Sequence, residues 1–342
     1  MAPLRSTPFI TSAALALTLI GAPAPAQEVN VYSSRHYDTD DALYQKFTED
    51  TGITVNRIEA KADELIARMS AEGENSPADV FIAVDVGRMA RAEAEGILQP
   101  FESEVIESRI PDHLQHPDNL WFGISTRARI IFYAKDRVDT PPQTYEALTD
   151  PEWKGKFCIR SSSNIYNQSL MASIIEVHGP EAARDWAAGI VANMARAPQG
   201  GDTDQLRGIV SGECDVAVAN HYYFLRGFEK EVDGLTAGID SIGWVWPNQD
   251  GRGAHVNLAV AAKAAHAPNS DEATKLLEFL TGDWAQMHFA KQNNEYPAAD
   301  GAAIHPSVKR LGEFKADTST PTAAFSRNAA KAQAIFNEVG WD

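Results

Sequence analysis

The chain has 342 residues, of which 44% are hydrophobic and 23% are charged, and its formal net charge at pH 7 is −17. Because the chain is so negative, we expect neither nucleic acid nor an anionic membrane surface as a partner. Its length exceeds what a single hydrophobic core usually fills, which predicts two lobes.

Residues 1–26 have the pattern of a secretory signal peptide. Arg5 gives a positively charged start, residues 9–20 form a short apolar stretch, and the Ala-Pro-Ala at residues 24–26 resembles a cleavage site. The stretch is shorter than the ~20 apolar residues that a transmembrane helix needs. We therefore predict cleavage near Ala26 and export to the periplasm. No cysteine stands at the cleavage site to carry a lipid, which favours a free protein.

After this segment, strand-like and helix-like stretches alternate along the chain. The predicted strands cover residues 29–33, 53–58 and 79–84, and the predicted helices cover residues 39–50 and 61–71. The third strand is an almost continuous apolar run. Such runs are typical of parallel sheets that are covered by helices on both faces, so we predict an α/β fold.

One long extended stretch, residues 120–133, is expected to pass from one lobe to the other, and the chain is expected to cross back near residues 245–250. Further strands are predicted at residues 157–160, 216–220 and 255–261, and further helices at residues 168–178, 180–193 and 271–281 and from residue 283. We assign residues 27–125 and 250–300 to lobe 1, and residues 126–249 and 301–342 to lobe 2. Two lobes joined by crossover strands are typical of hinged proteins that close around a ligand.

Two cysteines, Cys158 and Cys214, lie near the starts of strand-like runs. In an oxidising compartment an even number of cysteines favours a disulfide. The alternative is a metal site, but two thiolates are too few for structural zinc. We therefore predict a disulfide between them.

Four tyrosines and a histidine lie where core packing does not require them. They follow three of the predicted strands, and they are His36 and Tyr37, Tyr166, and Tyr222 with Tyr223. Ligands of open parallel sheets bind beyond the carboxyl ends of strands, so we expect these side chains to meet. A phenol with a pKa of about 10 is a poor metal ligand at neutral pH. A hard trivalent cation changes this, because metal binding and deprotonation of the ligand are coupled. The set therefore indicates a site for ferric iron.

Each of these residues also has a purely structural interpretation. In an isolated Tyr-Tyr pair, one ring more often packs in the core while the other lies at the surface. A strand would point Tyr222 and Tyr223 to opposite faces, whereas the first turn of a helix lets both face a cleft. Taken alone, Tyr166 is equally compatible with an exposed loop tyrosine, and His36 with a solvated loop histidine.

Arginines near these loops affect the charge balance of the predicted iron site. Ferric iron with four phenolates carries one net negative charge, which a guanidinium can offset. The candidates are Arg35, Arg127, Arg129 and Arg160. Arg127 is favoured because it lies in the predicted crossover strand. Its alternative role is a hinge salt bridge to an acidic residue.

Longer segments of the chain resemble the ferric-iron-binding proteins of periplasmic ABC importers, in the branch that binds iron mainly through tyrosines without a synergistic anion. The similarity runs through nearly the whole mature chain. It is carried by residues 31–40, 123–129, 160–170 and 193–202, by the pair Tyr222 and Tyr223, and by residues 247–249 and 255–257. Motifs of this length and order are specific to the family, whereas the tyrosine pair alone is not.

The resemblance implies a two-lobed periplasmic-binding-protein fold of type II, with a mixed sheet and flanking helices in each lobe and crossover strands at the hinge. It implies closure around the ion and delivery to an inner-membrane ABC permease and its ATPase. By position it implies Tyr37, Tyr166, Tyr222 and Tyr223 as phenolate ligands, His36 as a fifth ligand and Arg127 as a cation beside them. One position departs from the family: His221 stands where a small polar residue such as threonine is expected. His36 and His221 are therefore alternative fifth ligands.

Two other functions compete with this prediction. A binding protein of the same fold could hold a small organic ion, with the tyrosines as an aromatic cage. An exported metalloenzyme would need an open coordination position and a general base, for which five protein ligands leave little room. The sequence has no nucleophile elbow, Walker loop, H-E-x-x-H or dinucleotide fingerprint. We therefore predict a monomeric binding protein and not an enzyme.

Overall fold

The computed structural model describes residues 27–35 and 37–342. The predicted signal peptide, residues 1–26, and the predicted ligand His36 lie outside the described residues. Within the described part of the chain, no helix is both long enough and apolar enough to cross a membrane.

The strands form one mixed sheet that runs through both halves of the molecule. They are β1 (Glu28–Ser33), β2 (Thr54–Glu59), β3 (Val80–Val84), β4 (Leu98–Gln99), β5 (Trp121–Ala134), β6 (Phe157–Cys158), β7 (Val216–Asn220), β8 (Ile242–Val245), β9 (Val256–Ala264) and β10 (Tyr296–Pro297). Their order is β2-β1-β3-β9-β5-β7-β6, with β4 beside β9 and with β8 and β10 beside β5. The pairs β1–β2, β1–β3 and β6–β7 are parallel, whereas β9 is antiparallel to β3 and β5.

Helices cover both faces of this sheet. They are α1 (Asp40–Thr51), α2 (Ala62–Glu72), α3 (Val86–Ala94), α4 (Glu104–Arg109), α5 (Ile165–Asn193), α6 (Asp202–Ser211), α7 (His221–Glu229), α8 (Ser270–Leu280), α9 (Asp283–Asn293), α10 (Pro306–Lys309), α11 (Ala323–Arg327) and α12 (Ala329–Val339). The two helices predicted at residues 168–178 and 180–193 are the two parts of α5, which breaks at Gly179 with a φ of 81°. Glycine tolerates this conformation, and Pro180 after it has no N–H to donate.

The long strand β5 connects the two halves of the sheet, as its extended pattern predicts. Its first part pairs with β9, where Trp121 lies opposite Ala262. Its last part pairs with β7 and β8, where Tyr133 lies opposite Val216 and Gly243. Between β8 and β9 the chain returns to the first half of the sheet. The precise lobe boundaries given above stay our proposal.

Each half of the sheet has its own hydrophobic core. Side chains of β1, β3 and β9 contribute to the first core. In the second half, successive residues of β5 point to opposite faces. Ile131 therefore packs on the side of α5 and α12, whereas Ile130 and Phe132 pack on the side of α6 and α7. This arrangement agrees with the predicted two-lobed α/β organisation.

The strand predicted at residues 157–160 is shorter in the structure and ends at Cys158. The chain leaves the sheet here because the backbone groups that follow β6 form hydrogen bonds with residues at the C-terminus. The carbonyl of Arg160 accepts from the indole of Trp341 at 3.0 Å, and the N–H of Ser162 donates to the carbonyl of Asp342 at 3.0 Å. These contacts fix the loop that leads into α5.

Candidate metal centre

The four predicted tyrosines all lie beyond the carboxyl ends of strands. Tyr37 is in the loop between β1 and α1, Tyr166 is in the first turn of α5 after β6, and α7 begins immediately after β7. Tyr222 and Tyr223 therefore lie in the first turn of a helix, where both can face the same cleft. The side chain of Asn164 accepts from the N–H of Tyr166 at 3.1 Å and so caps α5.

Three of these tyrosines are in direct contact. The hydroxyl of Tyr222 donates to the hydroxyl of Tyr166 at 3.2 Å. The rings of Tyr222 and Tyr223 lie 4.4 Å apart between centroids, with 32° between their planes. Tyr222 is 1% exposed, whereas Tyr166 and Tyr223 are partly exposed. The centre is thus buried at Tyr222 and partly accessible to solvent at Tyr166 and Tyr223.

Raised pKa values favour the neutral form of the phenols of Tyr37, Tyr222 and Tyr223. Burial raises the pKa of Tyr37 to about 12, with further contributions from the Glu295 carboxylate and from Tyr166. Burial and the neighbouring Tyr166 likewise raise the pKa values of Tyr222 and Tyr223. Tyr37 therefore belongs to the same electrostatic group as the other three. A cation that binds here must be strong enough to displace phenolic protons.

Arg127 lies at this centre and also forms a hinge ion pair. Its side chain is 1% exposed, and its Nη2 lies 3.1 Å from Oε1 of Glu295. This distance is short enough for an ion pair. The N–H groups of Arg127 are not aligned for a hydrogen bond, however, and its guanidinium nitrogens have no hydrogen-bond partner. Burial opposes its charge, but attraction to Glu295, Tyr222 and Tyr37 holds the pKa of Arg127 above its ordinary value.

Glu295 is a central residue that the sequence analysis did not identify. Its carboxylate accepts from Nη1 of Arg35 at 3.1 Å and from the hydroxyl of Ser125 at 2.5 Å, in addition to the ion pair with Arg127. Arg35 in turn places its Nε 3.0 Å from Asp40. We call these four charged residues, Arg35, Asp40, Arg127 and Glu295, the hinge cluster.

A second group of charges lies beside α5 and α7. Nη1 of Arg129 is 3.1 Å from Asp202, and Nη2 of Arg129 donates to the side chain of Asn167 at 2.7 Å. Asp202 also accepts from the N–H of Asn220 at 2.8 Å. Nη1 of Arg160 lies further away, 3.5 Å from Asp202. We call Arg129, Arg160 and Asp202 the Asp202 cluster.

His221, the alternative fifth ligand, is engaged elsewhere. Its Nδ1 accepts from the N–H of Ala128 at 3.2 Å, and its Nε2 donates to the carbonyl of Asn294 at 2.8 Å. The ring is completely buried, and burial lowers its pKa to about 4. With both ring nitrogens used by the backbone, His221 has no lone pair directed at the cleft. The role of His36 stays a prediction.

Cys158 and Cys214 form a disulfide in the structure. They lie at the end of β6 and just before β7, two neighbouring parallel strands. The bond therefore joins the segments that carry Tyr166 and the pair Tyr222 and Tyr223.

The donor set at the cleft consists of phenols and not of the more common metal ligands. Across residues 27–35 and 37–342, no group of three or more His, Cys, Asp or Glu side chains is placed to hold a metal ion. The carboxylates near the tyrosines are instead paired with arginines. Deprotonated phenols are hard oxygen donors, so the arrangement suits a small, highly charged cation.

The comparisons with known proteins agree with this architecture. The sequence profile of a family called "Bacterial extracellular solute-binding protein" matches residues 75–327. "Iron uptake protein A1" of Synechocystis sp. is 49% identical over 93% of this chain and 89% of its own length. The solved structure of Trichodesmium FutA (IdiA) in complex with iron and citrate covers 92% of this chain and 100% of that one, with 47% identity and a TM-score of 0.89. The structure of the ferric binding protein from Campylobacter jejuni covers 92% of this chain and 100% of that one, with 39% identity and a TM-score of 0.86.

These structures are two-lobed periplasmic binding proteins of type II, so the fold prediction is confirmed. The predicted resemblance to ferric-iron-binding proteins is confirmed as well, because it extends over nearly the whole chain at 39% to 49% identity. The chain belongs to the family of bacterial extracellular solute-binding proteins.

Proposed function

We propose that this protein is the periplasmic solute-binding component of an ABC iron importer. It binds one ferric ion in the cleft between its lobes through the phenolates of Tyr37, Tyr166, Tyr222 and Tyr223, with His36 as the fifth ligand. It then delivers the ion to the inner-membrane permease and its ATPase. The names of its relatives, an iron uptake protein and ferric binding proteins, support this cargo.

The observation that carries the proposal is the convergence of phenol hydroxyls from separate segments. The hydroxyls of Tyr166 and Tyr222, on different helices, lie 3.2 Å apart, and Tyr37 is near enough for Tyr166 to contribute to its raised pKa. Core packing gives no reason to bring polar groups of this kind together. A trivalent cation does, because it stabilises several adjacent phenolates that would otherwise repel one another.

The same geometry disfavours an aromatic cage for an organic ion. Such a cage presents ring faces to its cation. Here the rings of Tyr222 and Tyr223 face each other at 4.4 Å. The ring of Tyr166 already lies near two guanidinium groups, at 5.4 Å for Arg160 and 6.0 Å for Arg129. The hydroxyls are therefore the available groups, as metal coordination requires.

The proposal also covers export and release. Cleavage of the signal peptide near Ala26 yields a monomeric periplasmic protein that binds its cargo without catalysis. Opening of the lobes, protonation of the phenolates or reduction of the iron then frees the ion. Each of these steps removes the stabilisation that several phenolates give to a trivalent cation.

The test is a titration of metal-free protein with ferric nitrilotriacetate, followed by visible absorption. We expect a phenolate-to-iron charge-transfer band that saturates at one ion per chain. Replacing both Tyr222 and Tyr223 by Phe should abolish the band. The matched control is Tyr44→Phe, which removes the hydroxyl of another buried tyrosine that has no hydrogen-bond partner, and it should bind iron normally. A wild-type protein with no band and no thermal stabilisation by iron would refute the proposal.

A further inference from the structure

Three helices begin close to the tyrosines, and a network of buried polar side chains joins their starts. Tyr166 lies in the first turn of α5, Tyr222 and Tyr223 lie in the first turn of α7, and α6 begins at Asp202. The four side chains of the network are each 3% exposed or less, and they belong to Arg129, Asn167, Asp202 and Asn220. We call these four residues the helix-start network.

Asp202 holds the start of α7 through Asn220, the last residue of β7. The carboxylate of Asp202 accepts from the backbone N–H of Asn220 at 2.8 Å. The side chain of Asn220 does not cap α7, although this residue immediately precedes the helix. Its Oδ1 instead accepts from Nη1 of Arg129 at 3.2 Å, and its Nδ2 lies 3.4 Å from the hydroxyl of Tyr222. The contact with Arg129 therefore fixes which end of the Asn220 amide faces Tyr222.

Arg129 connects Asp202 to the start of α5. Its Nη1 lies 3.1 Å from Asp202, and its Nη2 donates to Oδ1 of Asn167 at 2.7 Å. The Nδ2 of Asn167 in turn donates to the backbone carbonyls of residues 160 and 161, at 2.8 Å and 3.1 Å. These carbonyls belong to the loop that leads into α5 and Tyr166. One carboxylate thus orients polar groups at the starts of both helices that carry tyrosines.

We propose that Asp202 is a positioning residue of the metal centre, which acts through Arg129 and Asn220 to hold the hydroxyls of Tyr166 and Tyr222 within reach of one ion. This inference rests on the proposed function. The two hydroxyls lie 3.2 Å apart although the tyrosines are 56 positions apart in the chain. Ligands that are already oriented lose less conformational freedom when the ion binds, so the network raises the affinity of the site.

The direction of the change in ferric affinity separates this positioning role from a purely electrostatic one. Burial raises the pKa of Tyr223, and the neighbouring Tyr166 and Asp202 add to this effect. If the charge of Asp202 were its whole role, Asp202→Asn would favour phenolates and strengthen ferric binding. A positioning role predicts the opposite, because Asn cannot hold both Arg129 and the N–H of Asn220 as a carboxylate does.

Asn167→Ala tests the same role without a change of charge, because it removes only the connection to α5. The matched control is Asp79→Asn. Asp79 is also a completely buried carboxylate that joins separate segments, since it accepts from the backbone N–H groups of Asn30 at 2.7 Å and Asn269 at 2.6 Å. It immediately precedes β3, whereas the tyrosines lie beyond the carboxyl ends of strands. Its replacement should therefore destabilise the fold without displacing the tyrosines.

The experiment compares the variants with the wild type for ferric affinity, by competition with citrate, and for the maximum of the phenolate-to-iron band. Circular dichroism first establishes that each variant is folded under the conditions used. We expect Asp202→Asn and Asn167→Ala each to lower the ferric affinity by about 10- to 100-fold, as the loss of groups that orient metal ligands does. The band maximum should shift in both variants, because the phenolates meet the iron at altered angles. Asp79→Asn should lower the urea midpoint but keep the wild-type affinity and band.

Three results would overturn the role of Asp202 while leaving the ferric site intact. The first is unchanged or tighter ferric binding in Asp202→Asn. The second is wild-type affinity and band in Asn167→Ala, which decides the matter even if Asp202→Asn does not fold. The third is an equal loss of affinity in Asp79→Asn, which would show that affinity follows the stability of the whole fold. A wild-type protein without the visible iron band would instead refute the proposed function itself.

Discussion

Replacing Glu295 by Gln is expected to destabilise the metal-free protein strongly. The carboxylate is completely buried and lies 3.1 Å from both Arg35 and Arg127. Gln keeps the shape and can still accept from the hydroxyl of Ser125, but it carries no charge. Arg35 would then keep its ion pair with Asp40, whereas Arg127 would lose the carboxylate with which it pairs. Breaking a buried ion pair from one side costs about 3–5 kcal/mol, because the remaining charge stays buried without compensation.

The assay is urea unfolding of metal-free protein at neutral pH. An appropriate control is Glu213→Gln, because Glu213 pairs with Arg196 at the surface, where it is 43% exposed. Surface pairs of this kind contribute about 1 kcal/mol or less. We expect the midpoint to fall much further for Glu295→Gln than for the control, with a similar denaturant slope. Equal losses in the two variants would show that the hinge cluster does not depend on this charge.

The pH dependence of the free energy of unfolding gives an independent check of the role of the Glu295 charge. Burial alone would raise the pKa of Glu295, but Arg127 and Arg35, together with the hydroxyl of Ser125, hold it below the usual value for a glutamate. A carboxyl group with a lowered folded-state pKa stabilises the protein above its unfolded pKa of about 4.3. That stabilisation is lost as the pH falls through the folded pKa. The difference between wild type and Glu295→Gln should therefore narrow below about pH 4, and a constant difference would contradict the argument.

Two further predictions concern stability. Replacing Cys158 and Cys214 by Ser should lower the free energy of unfolding by about 2–4 kcal/mol in urea denaturation, because the bond links positions 56 residues apart; an unchanged midpoint would contradict this. Ser169→Ala should cost about 1–3 kcal/mol, because its hydroxyl donates to the buried carboxylate of Asp85 at 2.9 Å. Ser173→Ala on the same helix is the control, since its hydroxyl donates to a carbonyl of its own helix and accepts one long contact, 3.5 Å, from Nη1 of Arg252; equal losses in both variants would argue against the Asp85 contact.

The tyrosines could be found from the sequence because two local signals coincide at them. Apolar runs reveal where strands end, and an aromatic residue in a polar loop such as that of Tyr166 stands out. The topology then brings the strand ends together. Arg127 was found for a related reason, since it lies in the one extended stretch long enough to join two lobes.

The carboxylates of the two charged clusters could not be found in this way. Arg35 and Glu295 are separated by 260 positions and Arg129 and Asp202 by 73. No local pattern connects such residues, and Glu295 stands in a short polar segment that resembles an ordinary surface turn. Which carboxylate meets which arginine is decided only when the strands and helices pack.

Some helices were missed although the sequence carries a signal for them. In α12, the buried residues Ala332, Ile335 and Phe336 recur at helical spacing, but many of their neighbours are alanines, which makes the apolar face hard to distinguish. In α3, the buried positions include Gly87 and Ala92, so small residues weaken the periodicity. The strand before the tyrosine pair had clearer ends, since the strand predicted at residues 216–220 agrees with β7. The helix α7 was not among the predicted helices, and α5 begins three residues before its predicted start.

The arrangement of charges supports the proposed preference of a negative protein for a trivalent ion over divalent ones. A cleft lined by unpaired carboxylates would attract calcium and magnesium, which prefer such ligands. Here the nearby carboxylates Asp40, Asp202 and Glu295 each have an arginine partner, and raised pKa values favour the neutral phenols of Tyr37, Tyr222 and Tyr223. Neutral phenols and paired carboxylates therefore offer little attraction to a divalent ion. In the proposed function, negative charge develops at the tyrosines only when a cation acidic enough to form phenolates arrives, which places the selection at the step of deprotonation.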